Sequence, residues 1–458
     1  MFDPILAEIR FGTGLSPIHR PVQSADTMIA RLKGPDVAAG DFGWTMFRNT
    51  RPSPDDLLDA GRAIRDAETE AAREEALAAR REMYDRVGLL YRRGFKTSLL
   101  RAARAEDGFR EALVDFWADH FTVLAKNAQH RHLVMGYIEE AIRPNVAGRF
   151  QDMLIAVVTN PLMLLYLDQS SSVGPNSPAG QRGGRGLNEN LAREMLELHT
   201  VGVEAEYSQT DVRQLAELLT GLTAPSGDHF KFQRNRSEPG EEVVLGRTYG
   251  SGGEGFHNVV EALTDIATHP ATARHISTKL ARHFIADDPP EEVIAVMADA
   301  FRATNGDLAA VYEAMLRHDQ AWTPERLKVK QPIEFMKSAC RALGMGANDI
   351  ASDRPGDLHP AFFSPLITMG QEWQKPNGPD GWPERSDFWV TPQFMAARIS
   401  WSIYKVNTFM THLEDPRDFV RTALGPNPPE DVVFAAGAAA NIRDGIGVVL
   451  SSAAFQRR

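Results

Sequence analysis

The sequence predicts a mostly helical, all-α protein carrying a small β-hairpin insertion. Apolar residues recur at helical spacing through most of the chain, proline and glycine punctuate those stretches, and only the segment around 230–246 reads as extended. With 458 residues, 43% of them hydrophobic and 24% charged, the chain is long enough to bury a sizeable core.

The elements follow in order. Residues 54–87 are rich in Ala, Glu and Arg, with charges such as Glu70, Arg73, Glu74 and Arg81 at helical spacing, and predict one long solvent-facing helix. A helix over about 107–123 comes next, then one from about Tyr137 that Asn160-Pro161 interrupts. Residues 168–186, with three consecutive serines, two prolines and five glycines, read as a loop. Asn188 reads as the N-cap of a helix ending at Gly202, and a further helix runs from about Thr210 to Thr220.

The hairpin places Phe230-Lys231-Phe232 on one arm and Val243-Val244-Leu245 on the other, with Pro239-Gly240 between them. Residues 256–344 are helical again, punctuated by Pro270, Pro289-Pro290 and Pro324. A proline-rich stretch with Trp373, Trp382 and Trp389 precedes a closing helical region. This predicts a single domain over 1–458 with three sub-lobes: an N-terminal helical one (1–168), a central helical one with the hairpin (187–345), and a C-terminal one holding the Pro/Trp-rich loop and last helices (346–458).

Charge and cysteine content narrow the function classes. The formal net charge is -11, with 61 acidic against 50 basic side chains, which argues against nucleic acid as the partner. The lone Cys340 forms neither an internal disulfide nor a multi-cysteine zinc site and reads as a small packing residue on a helix. No apolar run approaches the ~18 residues of a membrane span. The N-terminal segment lacks a basic stretch followed by an apolar one, so the expected location is cytoplasmic, with export requiring a signal-bearing partner.

Several blocks carry a family resemblance. Phe116-Trp117-Ala118-Asp119-His120-Phe121-Thr122 resembles a Phe-Trp-x-Asn-His-Phe-Thr block, with Asp119 where Asn is usual. Leu187 to Val203, containing Asn188-Glu189-Asn190-Leu191-Ala192-Arg193-Glu194-Met195-Leu196-Glu197-Leu198-His199, matches the most recognisable motif of the same family. His269 to Phe284, the Gly370-Gln371, Gly381-Trp382 and Trp389 set, and the ending Phe455-Gln456-Arg457-Arg458 are similar to further blocks. The chain thus resembles the bacterial family of domain of unknown function 1800 along nearly its whole length. Ser237 stands where relatives commonly carry His. The resemblance implies a helical fold and no established reaction. It also implies a partner, because genes of the family often sit beside those of a sulfatase-like family.

The residues offer several chemistries. Glu194-x-x-Glu197-x-His199 has the composition of a carboxylate–histidine metal site. On a regular helix, however, Asn190, Glu194 and Glu197 fall within an arc of about 60°, while His199 lies about 140° from Glu194 and about 160° from Glu197. The motif is therefore no local chelate. Its polar stripe of Asn190, Arg193, Glu194 and Glu197 is either a solvated face or a catalytic one, with a glutamate as general base or metal ligand and Asn190 orienting water.

His199 and His120 each sit on an apolar face, so they either meet in the core, where a pair binds a divalent metal or shifts its pKa, or are satisfied separately by backbone carbonyls or carboxylates. Asp119 points about 100° from His120 and orients it poorly. Arg182 and Arg185, in a glycine-rich run before the Asn188 helix, are either a linker or an anion site. Trp373, Trp382 and Trp389 either staple their loop to the body or contact a glycan or a partner. His269, His275 and His283 are spaced too far apart to chelate locally.

The serine elbow, the His-Glu-x-x-His zinc motif and a catalytic cysteine context are missing, which removes the commonest hydrolases. The expected function is thus an accessory or interaction protein acting with a sulfatase-like partner. The alternatives are a metal-dependent hydrolase using Glu194 or Glu197 with His120 or His199, and a glycan-binding protein.

Overall fold

A computed structural model describes residues 1–183, 186–253 and 255–458. The fold is mostly all-α, and two small antiparallel two-stranded sheets are the β structure of the described residues. No helix among the described residues is long and apolar enough to cross a membrane.

Most helix starts obey local chemistry. Ser53 and Asp56 form a reciprocal capping box around Pro54, which begins the Pro54–Arg65 helix. Asp107 accepts from the Arg110 amide to start Gly108–His120, and His269 followed by Pro270 starts Pro270–Phe284. The single helix expected over 54–87 is two helices, Pro54–Arg65 and Glu70–Arg104, because Thr69 caps a new start. The first half of Glu70–Arg104 is largely exposed, as its charges predict, whereas Phe95, Leu99, Leu100, Ala102 and Ala103 in the second half are buried.

Two apolar clusters organise the molecule. The larger gathers side chains from Leu6 to Trp322, with Trp117, Phe121, Phe150, Leu191 and Phe284 among its buried members. The smaller joins Phe95, Leu99 and Met135 to side chains between Phe335 and Phe455. The Glu70–Arg104 helix packs on Pro332–Ala342 and so links the N-terminal third of the chain to the second cluster. Cys340 is fully buried in that cluster, and burial raises its thiol well above the ordinary range.

The expected hairpin between 230 and 246 is corrected. Lys231–Phe232 pairs with Leu222–Thr223, whereas Glu242–Val244 pairs with Arg247–Tyr249. The segment between the two expected arms is too long to close them, and a two-residue turn at Leu245 and Gly246 closes the second hairpin instead. Both turn residues have positive φ, 51° and 78°, as such a turn requires. Leu245 is therefore a turn residue, not strand.

The helix expected from Asn188 to Gly202 is also different. Its regular part is Asn190–Glu194, with Glu189 at the N-cap position making no side-chain capping bond, and Met195–His199 continues as a π-helical turn. Asn188 contributes through its side-chain oxygen, which accepts from the Asn190 amide at 2.9 Å. The π turn inserts an extra residue, so angular positions read for a regular helix do not hold beyond Glu194.

Candidate functional site

A partly open cavity of about 290 Å³ is lined by several elements, among them the following three segments. The Gly108–His120 helix supplies Asp115, Phe116, Asp119 and His120. Its position is fixed by the Trp117 indole, which donates to the Tyr312 hydroxyl at 2.6 Å. The Pro270–Phe284 helix supplies Lys279 and His283, one turn apart. The loop 371–384 supplies Trp373, Asp380, Trp382 and Glu384 and closes over the space. Gly381 has φ of 78°, and a Cβ there would lie 2.7 Å from both the backbone oxygen and Oδ2 of Asp119. Glycine at 381 thus allows the loop to touch the helix and the Trp382 amide to donate to Asp119 at 3.0 and 3.2 Å.

The wall is rich in charge, and most of that charge is paired. Arg101 donates to both oxygens of Glu139 at 2.6 and 3.0 Å, and Arg143 to both of Glu111 at 2.9 and 2.6 Å. Lys337 holds Asp115 at 2.7 and 2.6 Å. His283 Nδ1 lies 3.0 Å from Glu384, whose carboxylate also meets Lys328 at 3.1 Å. Burial alone would raise Glu384, but His283, Lys328 and Arg458 outweigh it and hold the carboxyl well below the usual range. Glu334 is held by Arg458 at 3.0 Å.

Lys279, Asp119 and Asp380 are the exceptions: each lines the cavity without an ion pair among the described residues. Lys279 lines the cavity half-buried and, among the described residues, makes no direct ion pair. Burial pushes its ammonium down, against the pull of Asp119, Glu384 and Asp380. Asp119 is half-buried too, deep in the protein yet facing the cavity. Burial, with Glu384 and Asp380 adding, raises it to about 7 against the Trp382 amide and Lys279. An acid and an amine, both displaced toward neutrality, therefore share one cavity.

Behind this pair lie three imidazoles. His120 Nε2 is 3.1 Å from the carbonyl of His199, and His275 Nε2 is 3.1 Å from that of Leu198. A carbonyl only accepts, so each Nε2 carries the proton, and the two histidines satisfy carbonyls left over at the end of the π turn. His120 and His199 do meet, with ring centroids 5.9 Å apart. His120 Nδ1 and both His199 ring nitrogens are buried without a hydrogen-bond partner among the described residues. Burial and Lys279 press all three rings toward neutrality, His199 to about 3 and His275 to about 4.

The polar stripe lies elsewhere on the same segment. Arg193 bridges Glu189 at 3.1 Å and Glu197 at 3.4 Å, and Asn190 is exposed. Glu194 feels the cavity residue Asp380: burial and then Glu197 raise its carboxyl, and Asp380 adds to the effect. Tyr166 feels both Glu194 and Asp380 after burial, and its hydroxyl rises to about 12. Among the described residues no group of three or more His, Cys, Asp or Glu side chains is placed to hold a metal ion. Arg182 is exposed, and Arg185 lies outside the described residues.

The tryptophans take different places. Trp389 is fully buried and donates its indole N–H to the Pro383 carbonyl at 2.8 Å. Trp373 is buried against Tyr91 and Phe95 and reaches the cavity with its remaining surface. Trp382 is half-buried on the cavity wall.

Sequence reasoning singled out His120 but passed over Lys279, Asp380 and Glu384, and it weighed Asp119 only as an orienter of His120. The signal available was the stripe His275–Lys279–His283, one residue per turn on a single helix face. Read for histidines alone it is no chelate, whereas its middle member is the lysine of the cavity.

No curated protein and no solved structure matches this chain. A match over residues 25–457 shows that the chain belongs to the family described as protein of unknown function (DUF1800).

Proposed function

We propose that the protein is an enzyme that binds a small polar molecule in the 290 Å³ cavity and moves protons to and from it through Asp119 and Lys279. One observation carries this reading: in a wall most of whose charges are neutralised in pairs, an acid and an amine remain directed at the same space without a direct ion pair between them. A carboxyl that burial raises from the usual carboxylate range toward neutral pH suits a general acid–base. Phe116, Trp373 and Trp382 add apolar faces for the carbon skeleton of a ligand, and this also accommodates the glycan reading.

A thermal-shift screen with small neutral, cationic and anionic compounds tests the proposal. The expected result is stabilisation by one chemical class, lost in both Lys279→Met and Asp119→Ala. Stabilisation that survives in both variants, or that no class produces, would overturn it.

The accessory reading is the second. Exposed Phe388, Val390, Ile399, Tyr404, Phe434 and Ile442, concentrated in the last part of the chain, support a protein partner, with the sulfatase-like neighbour as the first candidate. Co-purification from the native host at native expression tests it, and recovery of the chain alone would count against it. The metal-dependent alternative needs an ion bound by Glu194 or Glu197 with His120 or His199. Elemental analysis of untagged protein tests that version.

A further inference from the structure

We propose that Lys279 is a nucleophile that condenses with a small, neutral carbonyl compound to form an imine, with Asp119 relaying the protons. This rests on the reading that the cavity binds a small polar molecule.

The first argument is how the cations of the wall are employed. Arg101, Arg143 and Lys337 are each committed to a carboxylate, and Lys328 behind them holds Asp287 and Glu384. Lys279 alone among the cavity cations of the described residues has no such partner, while its side chain borders the open space. A lysine kept out of ion pairs in a cavity serves either an anionic ligand or its own nitrogen lone pair.

The surroundings decide between these two uses. The charges that act on Lys279 are Asp119, Glu384 and Asp380, with Arg282 opposing them, and Asp380 also acts on Glu194. Asp380, without an ion pair among the described residues, and the Glu384 carboxylate put negative charge beside the nitrogen, which disfavours a carboxylate or phosphate ligand. A neutral molecule meets no such repulsion next to the nitrogen. Burial further favours the uncharged amine, which is the nucleophilic form. The neutral histidines at 120, 199 and 275 add no positive charge to attract an anion.

The reaction balances with groups already present. The Lys279 nitrogen lone pair attacks the carbonyl carbon, a C–N bond forms, and the carbonyl π electrons move to oxygen, which takes the proton of the Asp119 carboxyl. The nitrogen then returns a proton to the Asp119 carboxylate. Asp119 protonates the hydroxyl, the C–O bond breaks, water leaves, and the nitrogen lone pair closes the C=N bond; the protonated imine so formed returns its N–H proton to the Asp119 carboxylate. No oxidant or reductant takes part, and the products are an imine and one water.

The experiment uses the full chain with dihydroxyacetone as the neutral probe, pyruvate as the anionic one, and sodium cyanoborohydride to trap the imine, followed by peptide mass mapping. With dihydroxyacetone, Lys279 should be modified at least about 10-fold faster than a typical surface lysine, with pyruvate no faster. Asp119→Asn should slow trapping roughly 100-fold, the scale of one positioned proton-transfer group. Lys279→Met, which brings no charge into the buried position, should abolish that modification while circular dichroism shows the fold retained. Trapping at Lys279 no faster than at the surface, or unaffected by Asp119→Asn, overturns the proposal. In that case, thermal stabilisation by any class of the small-molecule screen that Lys279→Met and Asp119→Ala both abolish leaves the cavity reading standing, and its absence removes both.

Discussion

Replacing Asp119 by Asn probes the electrostatics of the cavity directly. Asn is isosteric, keeps an oxygen for the Trp382 amide, and is the residue usual at this place in the resembled block, so the variant should fold. In the folded protein, burial lifts the Asp119 carboxyl from 3.8 to about 7. The folded state therefore holds the proton more tightly than the unfolded chain does. The stability this contributes is fully present below pH 3.8 and is lost as pH rises through about 7.

A gap of roughly three pH units at about 1.36 kcal/mol each gives a ceiling of about 4 kcal/mol. Lys279 titrates together with Asp119 and shares that cost, and solvent in the cavity screens it, so about 1–2 kcal/mol is expected. Urea unfolding of both proteins at intervals between pH 5 and 8.5 reads the effect. Asp119→Asn should gain about 1–2 kcal/mol on the parent across that range, since Asn has no proton to lose. A difference between the two proteins that stays constant with pH would refute the reasoning.

Other variants test separate parts of the site. Gly381→Ala places a methyl group against Asp119 and forces left-handed backbone on alanine, so it should destabilise by at least about 1–2 kcal/mol and weaken any ligand-induced thermal shift. Arg143→Met strips Glu111 of its bidentate partner deep in the wall and should lower the unfolding free energy by about 3–5 kcal/mol in urea titrations. His199→Phe acts on the acid side. His199 falls from 6.5 to about 3 on folding, so its contribution is present above pH 6.5 and is lost as pH falls toward 3. The variant should flatten the stability–pH slope there by one proton, and cost less than about 1 kcal/mol at pH 8 because His199 leaves no partner unsatisfied. An unchanged slope between pH 4 and 6.5 would contradict this assignment.

The sequence by itself determined the helical class, the family and most helix starts, since these depend on neighbours in the chain. Ser53 with Pro54, Asp107 and His269 with Pro270 each announce a helix through a hydrogen bond made within three residues. The burial of His120 and His199 was legible for the same reason, because their apolar neighbours recur at helical spacing. Local pattern failed where the backbone left regular geometry. The π turn at Met195–His199 changes the angular positions after Glu194, and the turn at Leu245-Gly246 redirects a strand to a different partner.

Only the tertiary structure decided the site. Asp119 looked like a neighbour pointing away from His120. It became a cavity acid because the loop 371–384, more than 250 residues later, lays the Trp382 amide and two further carboxyl groups over it. Lys279 became distinctive only through a comparison no local pattern contains: the other wall cations found carboxylates across the fold and it did not. Helix ends are set by contacts between residues close in the chain, whereas the charge and proton affinity of a cavity are set by burial and by groups distant in sequence.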